Sequence, residues 1–219
     1  KQIARKAVES AAVLLKNQDL LPLAPGQKVA FFGWAQLETV LSGNGSGSSR
    51  SDREVSILEA CKEAGIAPVA ALEEFYRQQI AQRKASQPSE TDPVWLKEAV
   101  NSGLMYELFG KYTPNPPEFE VPQNLLDQAA QETSVALWVL GRKSGGEECD
   151  RHLEDDYYLS AQEKALLEQL CAAFDQVAVV LNCNGLLDLS WVEEYPQIKG
   201  LLFLGIPGEE GPAALANLL

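Results

Sequence analysis

Histidine occurs once in these 219 residues, at His152, and the four cysteines (Cys61, Cys149, Cys171 and Cys183) show no C-x-x-C spacing. A zinc site built from Cys and His is therefore not expected, and no residue cluster calls for any other metal or cofactor. Cys61, Cys171 and Cys183 fall in apolar helix or strand patterns and read as buried free thiols. Cys149 sits in an acidic stretch where only Arg151 is close enough in sequence to activate it, which makes a poor nucleophile. Basic side chains are also scarce, 18 against 31 acidic ones, for a formal charge of −13. Nucleic acid and anionic membrane both require a basic face, so neither is an expected partner, and the plain reading of the charge is solubility. No apolar run reaches the roughly 18 residues needed to span a bilayer, and no signal-peptide pattern is visible. An initiator methionine is missing too: the chain starts at Lys1 and stops at Leu219 inside a helical pattern, as a piece of a longer protein would. Localisation stays open on this reading, with the cytoplasm favoured and secretion allowed for if a leader was removed.

What is present is enough apolar residue, 46% of the chain, to build one large core or two small ones. Apolar side chains at Ile3, Ala4, Ala7, Val8, Ala11, Leu14 and Leu15 predict a helix over residues 2–15 with one buried face. Val29 to Gly33 is apolar throughout, the composition of a strand covered on both faces. Helix is expected over residues 55–64, followed by a short second strand over 66–71. Residues 72 to about 121, polar and broken by prolines, read as an irregular insertion packed on the domain and lacking a core of its own. Regularity then returns, with helix over 123–133, strand over 135–140, helix over 160–174 and strand over 177–182. A short helix or turn over 187–194, strand over 200–204 and helix over 209–219 complete the chain. Ser160-Ala-Gln-Glu163 fits the S/T-x-x-E capping box. Alternating β and α elements predict a single α/β domain over 1–219, a mostly parallel sheet with helices on both faces.

In such a sheet the loops after the strands share one edge, where open α/β folds keep their chemistry. Three loops stand out: Ser42-Gly-Asn-Gly-Ser-Gly-Ser-Ser49, the acidic stretch from Gly141 to Arg151, and Gly205-Ile-Pro-Gly-Glu-Glu-Gly211. The first fails the dinucleotide fingerprint, because Ser48 stands where the third glycine belongs, and it has no G-K-[ST] ending. Its amides and hydroxyls suit a neutral polyol such as a sugar equally well. In the second, Glu147 and Glu148 point different ways along extended backbone, so one can face a cleft. A carboxylic acid desolvated at a cleft rim has a raised pKa and can act as a general acid near neutral pH. A solvated acidic surface turn is the plain alternative. Asp150-Arg151 reads most simply as an ion pair that fixes the loop.

Four stretches together resemble the α/β sandwich domain of glycoside hydrolase family 3, the β-glucosidase and β-xylosidase family. They are Ala7-Val-Glu-Ser-Ala-Ala-Val-Leu-Leu-Lys-Asn17 with Leu20-Leu-Pro-Leu23, and the strand at Val29 with Gly43-Asn-Gly-Ser-Gly47 and Val55-Ser-Ile-Leu-Glu59. Then come Gly141-Arg142 with Gly146-Glu-Glu-Cys-Asp-Arg151, Tyr158-Leu159 and Gln162, and finally Pro207-Gly-Glu-Glu-Gly211 with Ala214-Leu-Ala216. They run in family order and span nearly the whole chain. The resemblance implies an (α/β)6-sandwich that carries an acid/base Glu and works with a TIM barrel carrying an Asp nucleophile. The family loop commonly reads G-E-x-x-D-R, and here one extra residue precedes the glutamate. Keeping the distance to Asp150-Arg151 fixed puts the acid/base on Glu147, with Glu148 as runner-up, whereas counting from Gly141-Arg142 lands on Gly146, which cannot serve. The family's Gly-rich loop supplies a serine near the sugar, matching Ser46 with Asn44 and Gly45 beside it.

The implied chemistry is a retaining double displacement on a terminal β-linked glucosyl or related residue. Family members acting on N-acetylglucosamine commonly draw the acid/base from the barrel, so an acidic loop here leans toward glucosides or xylosides. The expected partners are a saccharide substrate and a barrel domain of the same parent protein. No barrel lies within the 219 residues, so the isolated domain is expected to be inactive. Two other readings compete with this one: a non-catalytic sugar-binding or scaffolding domain that keeps the fold, and a flavodoxin-like nucleotide or flavin binder.

Overall fold

A computed structural model describes residues 1–43, 49, 55–86, 101–102, 115–142 and 153–219. Among these the regular elements are α1 (Gln2–Ala11), β1 (Val13–Asn17), β2 (Lys28–Phe32), α2 (Ile57–Glu63), β3 (Ala67–Pro68) and α3 (Ala70–Ser86). They continue with α4 (Gln123–Glu132), β4 (Val135–Gly141), α5 (Ala161–Ala173), β5 (Gln176–Asn182), β6 (Ile198–Phe203) and α6 (Gly211–Leu218). Short 3₁₀ turns occupy Trp34–Gln36 and Ser190–Glu193.

The six strands form one sheet in the order β1-β6-β5-β4-β2-β3. All neighbours run parallel except β1, which pairs antiparallel with β6 at the edge. Every residue of β4 is buried, as expected of a central parallel strand covered on both faces. Successive residues divide between two cores. Ala136, Trp138 and Leu140 join Phe32, Val177 and Val179 against α3, α4 and α5, with Leu72, Tyr76, Leu126, Leu166 and Leu170 supplied by the helices. Val135, Leu137 and Val139 face the other way, with Phe31, Ala178 and Val180, onto Ile57, Leu58 and Cys61 of α2 and Leu215 of α6. Helices on both faces of a mostly parallel sheet are the α/β architecture expected from the sequence. The buried thiols expected at Cys61, Cys171 and Cys183 are present, and burial pushes Cys61 up to about 12 and Cys171 to about 11.

The N-terminus departs from expectation. Instead of a helix over 2–15, α1 stops at Ala11, and Val13–Asn17 pair with β6 in the register Val13↔Phe203 and Leu14↔Leu202. The helix does not bury the predicted face either: Ile3 is 86% exposed and no α1 residue is buried. Val-Leu-Leu suits helix or strand locally, and the unpaired backbone edge of β6 decides between them, a tertiary effect that overrides the local period. The short strand expected over 66–71 shrinks to Ala67–Pro68, because α3 already begins at Ala70.

Candidate active site

The C-terminal ends of β2, β4, β5 and β6 lie on one edge of the sheet, and each releases the chain into a loop stem. After β2 the chain makes the tight turn Trp34–Gln36 against the end of β4. Gly141 makes that approach possible, since a Cβ there would sit 2.6 Å from Ala35 Cβ and 2.8 Å from the Trp34 ring. Thr39 then closes the mouth of the Gly/Ser loop. Its hydroxyl donates to Ala35 O at 3.1 Å and accepts from the Ile57 amide at 2.9 Å, joining the residues just before the loop to those just after it. Ser56 and Glu59 form a full capping box that starts α2.

Asn182, the last residue of β5, ties the stems together from below. Fully buried, it accepts from the Val40 amide through Oδ1 at 2.7 Å. Its Nδ2 donates to Val40 O at 3.0 Å and Gly205 O at 2.9 Å, and its carbonyl accepts from the Arg142 amide at 3.1 Å. One side chain and its backbone therefore touch the stems of all three loops that the sequence singles out. A further bond, from the Gly208 amide to Leu41 O at 3.0 Å, links the first loop to the third.

Arg142 opens the acidic loop and is 1% exposed. Its guanidinium forks onto Glu163, Nη1 to Oε1 at 2.5 Å and Nη2 to Oε2 at 2.8 Å, while Nε donates to Asp156 O at 2.9 Å and Nη1 also to Gly141 O at 3.0 Å. Glu163 has a second duty in the capping box of α5, where its Oε2 accepts from the Ser160 amide at 2.8 Å and the Ser160 hydroxyl accepts from the Glu163 amide.

Glu118 is a further buried carboxyl nearby. Burial pushes its pKa up to about 7, the Phe119 amide holds it down through a 2.9 Å hydrogen bond, and the charge of Glu163 raises it again. Trp138 also lowers it, yet the indole N–H makes no hydrogen bond of proper geometry, so the Phe119 amide is the firmer influence. Tyr76, held well above its ordinary value by burial and by Glu118, accepts from the Gly33 amide at 3.0 Å.

The residues singled out from the sequence as site candidates, Asn44, Gly45, Ser46, Glu147, Glu148, Asp150 and Arg151, lie outside the described residues, as does Cys149. What the structure brings together is the scaffold on their flanks: Val40 and Leu41 before the first group, Arg142 before the second, and Asp156 after it. Sequence reasoning missed the buried polar residues of this scaffold. Asn182 carried a usable signal as a polar end to the apolar run VAVVL, and Arg142 another as a charge directly after β4. Among the described residues no group of His, Cys, Asp and Glu could hold a metal ion, and no helix is long and apolar enough to cross a membrane.

Residues 12–219 match the model of the glycosyl hydrolase family 3 C-terminal domain. The chain is 26% identical to a beta-glucosidase from Ruminococcus albus over 209 residues, which is 95% of this chain and 20% of that protein. Its fold superposes on beta-glucosidase 3B from Thermotoga neapolitana, solved in complex with alpha-D-glucose, with a TM-score of 0.83 and 26% identity. That match covers the whole of this chain and 28% of the other. A beta-glucosidase from Paenibacillus barengoltzii superposes with a TM-score of 0.80 and 28% identity, again over the whole of this chain and 22% of the other. The chain thus spans between a fifth and a third of the length of these relatives.

Proposed function

The chain belongs to the family of glycoside hydrolase family 3 C-terminal domains, and from that premise we propose that it carries the acid/base half of a retaining, β-glucosidase-like exo-glycosidase. The observation that carries this reading is the convergence of three loop stems on Asn182 at the edge of the sheet where α/β folds bind ligands. Glu147 is the proposed acid/base, with Glu148 as runner-up. Ser46, flanked by Asn44 and Gly45, is the proposed sugar contact, and Asp150 with Arg151 structures the acidic loop. The proposed partner is a TIM barrel elsewhere in the parent protein.

In the proposed reaction a barrel Asp attacks the anomeric carbon as the glycosidic C–O bond breaks, and Glu147 gives its proton to the departing oxygen. Water then attacks the covalent glycosyl-enzyme, Glu147 takes the water's proton, and the Asp leaves. Retention requires carboxyls about 5 to 5.5 Å apart, so the two domains must close on the sugar. The glucose bound in the Thermotoga enzyme supports a glucosyl substrate. The isolated domain is expected to be silent, because half of the carboxylate pair is elsewhere.

Hydrolysis of nitrophenyl β-glucoside and β-xyloside tests this, with the chain alone, with its cognate barrel domain added, and in the full-length parent. Activity only where the barrel is present, lost with Glu147→Gln and partly restored by azide on an activated substrate, is expected. Turnover by the isolated chain, or an undiminished Glu147→Gln parent, would sink the assignment and favour a scaffolding domain.

A further inference from the structure

The segment proposed to carry the acid/base lies between Arg142, the first residue after β4, and Leu153, ahead of α5. Its two stems are joined by one buried network. Arg142 reaches forward across the loop to Asp156 O and Glu163 and backward to Gly141 O. That occupies four of the five N–H groups of the guanidinium in its fixed planar fork. Glu163 in turn holds the Ser160 amide, so the first turn of α5 belongs to the same unit. The return stem is set by more than this one contact. Asp155 lies in the left-handed region at φ 63, a conformation that needs outside support in a non-glycine residue. Arg142 holds the carbonyl of its neighbour Asp156, while Asn115 donates to Asp155 O at 3.3 Å and Asp156 Oδ1 at 3.4 Å.

A buried ion pair rarely returns in stability what its desolvation costs. What the pair supplies is geometry: two oxygens and a planar fork admit one relative placement of β4 and α5, and hence one separation and direction for the ends of the loop between them. We propose that Arg142 and Glu163 are a positioning pair for the general acid, fixing the loop stems so that the proton is delivered in line with the departing glycosidic oxygen. This rests on Glu147 being that acid. Neither residue touches the sugar. Loosening the pair misaims proton transfer without removing the acid, and a small misplacement is costly in a step that depends on alignment.

The leaving group reports on this selectively. A 2,4-dinitrophenolate departs without a proton, whereas an alkyl oxygen, such as the glucose O4 expelled from cellobiose, needs one. In the full-length parent, kcat/KM is measured for 2,4-dinitrophenyl β-glucoside and for cellobiose in wild type, Arg142→Lys, Glu163→Gln and Glu147→Gln. The ratio of the two values is independent of the fraction of protein folded, so a poor yield does not blur it. Arg142→Lys keeps the charge and loses the fork. It is expected to lower kcat/KM for cellobiose on the order of 10²-fold while changing the dinitrophenyl substrate less than about tenfold, and Glu163→Gln should shift the ratio in the same direction. Equal losses on both substrates, or no loss, in Arg142→Lys alongside a selective loss in Glu147→Gln would overturn the positioning role alone. Loss of selectivity in Glu147→Gln itself would bring down the acid assignment, and this inference with it.

Discussion

Asn182 and Val40 lie 142 residues apart in sequence and exchange two hydrogen bonds, amide to Oδ1 at 2.7 Å and Nδ2 to carbonyl at 3.0 Å. The pairing imitates one step of a β-ladder at the point where the sheet has ended. Asn182→Ala would strand the Val40 amide and carbonyl in a buried site and the Gly205 carbonyl in a half-buried one. A loss of about 3 kcal/mol is expected, since each buried unsatisfied group costs about 1 to 3 kcal/mol and water admitted to the gap offsets part of it. Urea unfolding should show a lower midpoint at unchanged slope. Asn182→Asp should be no better, because a carboxylate would face two carbonyl oxygens that now receive Nδ2.

Glu118 predicts how stability depends on pH. Its carboxyl is raised from the ordinary 4.5 to about 7 in the folded chain. Between those values the folded state holds a proton that the unfolded state has released. Stability therefore falls as pH rises through that window and levels off above about 7, by about 3 kcal/mol at 1.36 kcal/mol per pH unit. Burial sets this value first; the Phe119 amide, Trp138 and Trp34 pull it down, and the charge of Glu163 raises it. Glu118→Gln keeps an acceptor for Phe119 and has nothing to titrate. The difference between wild type and Glu118→Gln, followed by thermal or urea unfolding from pH 4.5 to 8, should grow in favour of the variant as pH rises. A flat difference would mean that the carboxyl is ionised throughout.

Ser160 offers a smaller and cleaner test. It accepts from the Glu163 amide while Glu163 accepts from the Ser160 amide, so both halves of the capping box are in place. Ser160→Ala should cost about 1 kcal/mol and Ser160→Gly only a few tenths, because glycine leaves the helix end open to water. No loss in either variant would show that the hydroxyl caps nothing.

Much of the sheet could be read from the chain because its central strands are apolar on both faces, as β4 is at Val135–Gly141. The α5 start at Ser160 was legible for a different reason, since a capping box is local chemistry at fixed spacing. β1 was not, because Val13-Leu14-Leu15 takes strand form only through β6, whose sequence lies nearly two hundred residues on. The site divides in the same way. Gly-rich and acidic loops announce themselves in sequence. The partners of Arg142, Glu163, Asn182 and Glu118 do not, because a buried polar residue has no period, and its role depends on groups that only the fold assembles.

The last expectation concerns Gly33, where β2 ends and the site begins. Its φ is 89, and a Cβ there would stand 2.3 Å from Val139 O and 2.9 Å from Trp138 Cδ1. Both neighbours belong to β4, which is hydrogen-bonded on two sides and cannot yield. Gly26 has a similar φ of 75 but nothing within 4 Å of its virtual Cβ. The two positions therefore separate backbone strain from steric exclusion. Gly26→Ala should cost only the left-handed penalty, about 1 to 2 kcal/mol, and lower the melting temperature by about 2 to 8 °C. Gly33→Ala adds the collision and the displacement of the amide that donates to Tyr76. It should lose at least about 4 kcal/mol, more than 8 °C, or fail to accumulate as folded protein. Equal melting temperatures for the two variants would mean that β2 and β4 do not approach as closely as the Gly33 contacts require.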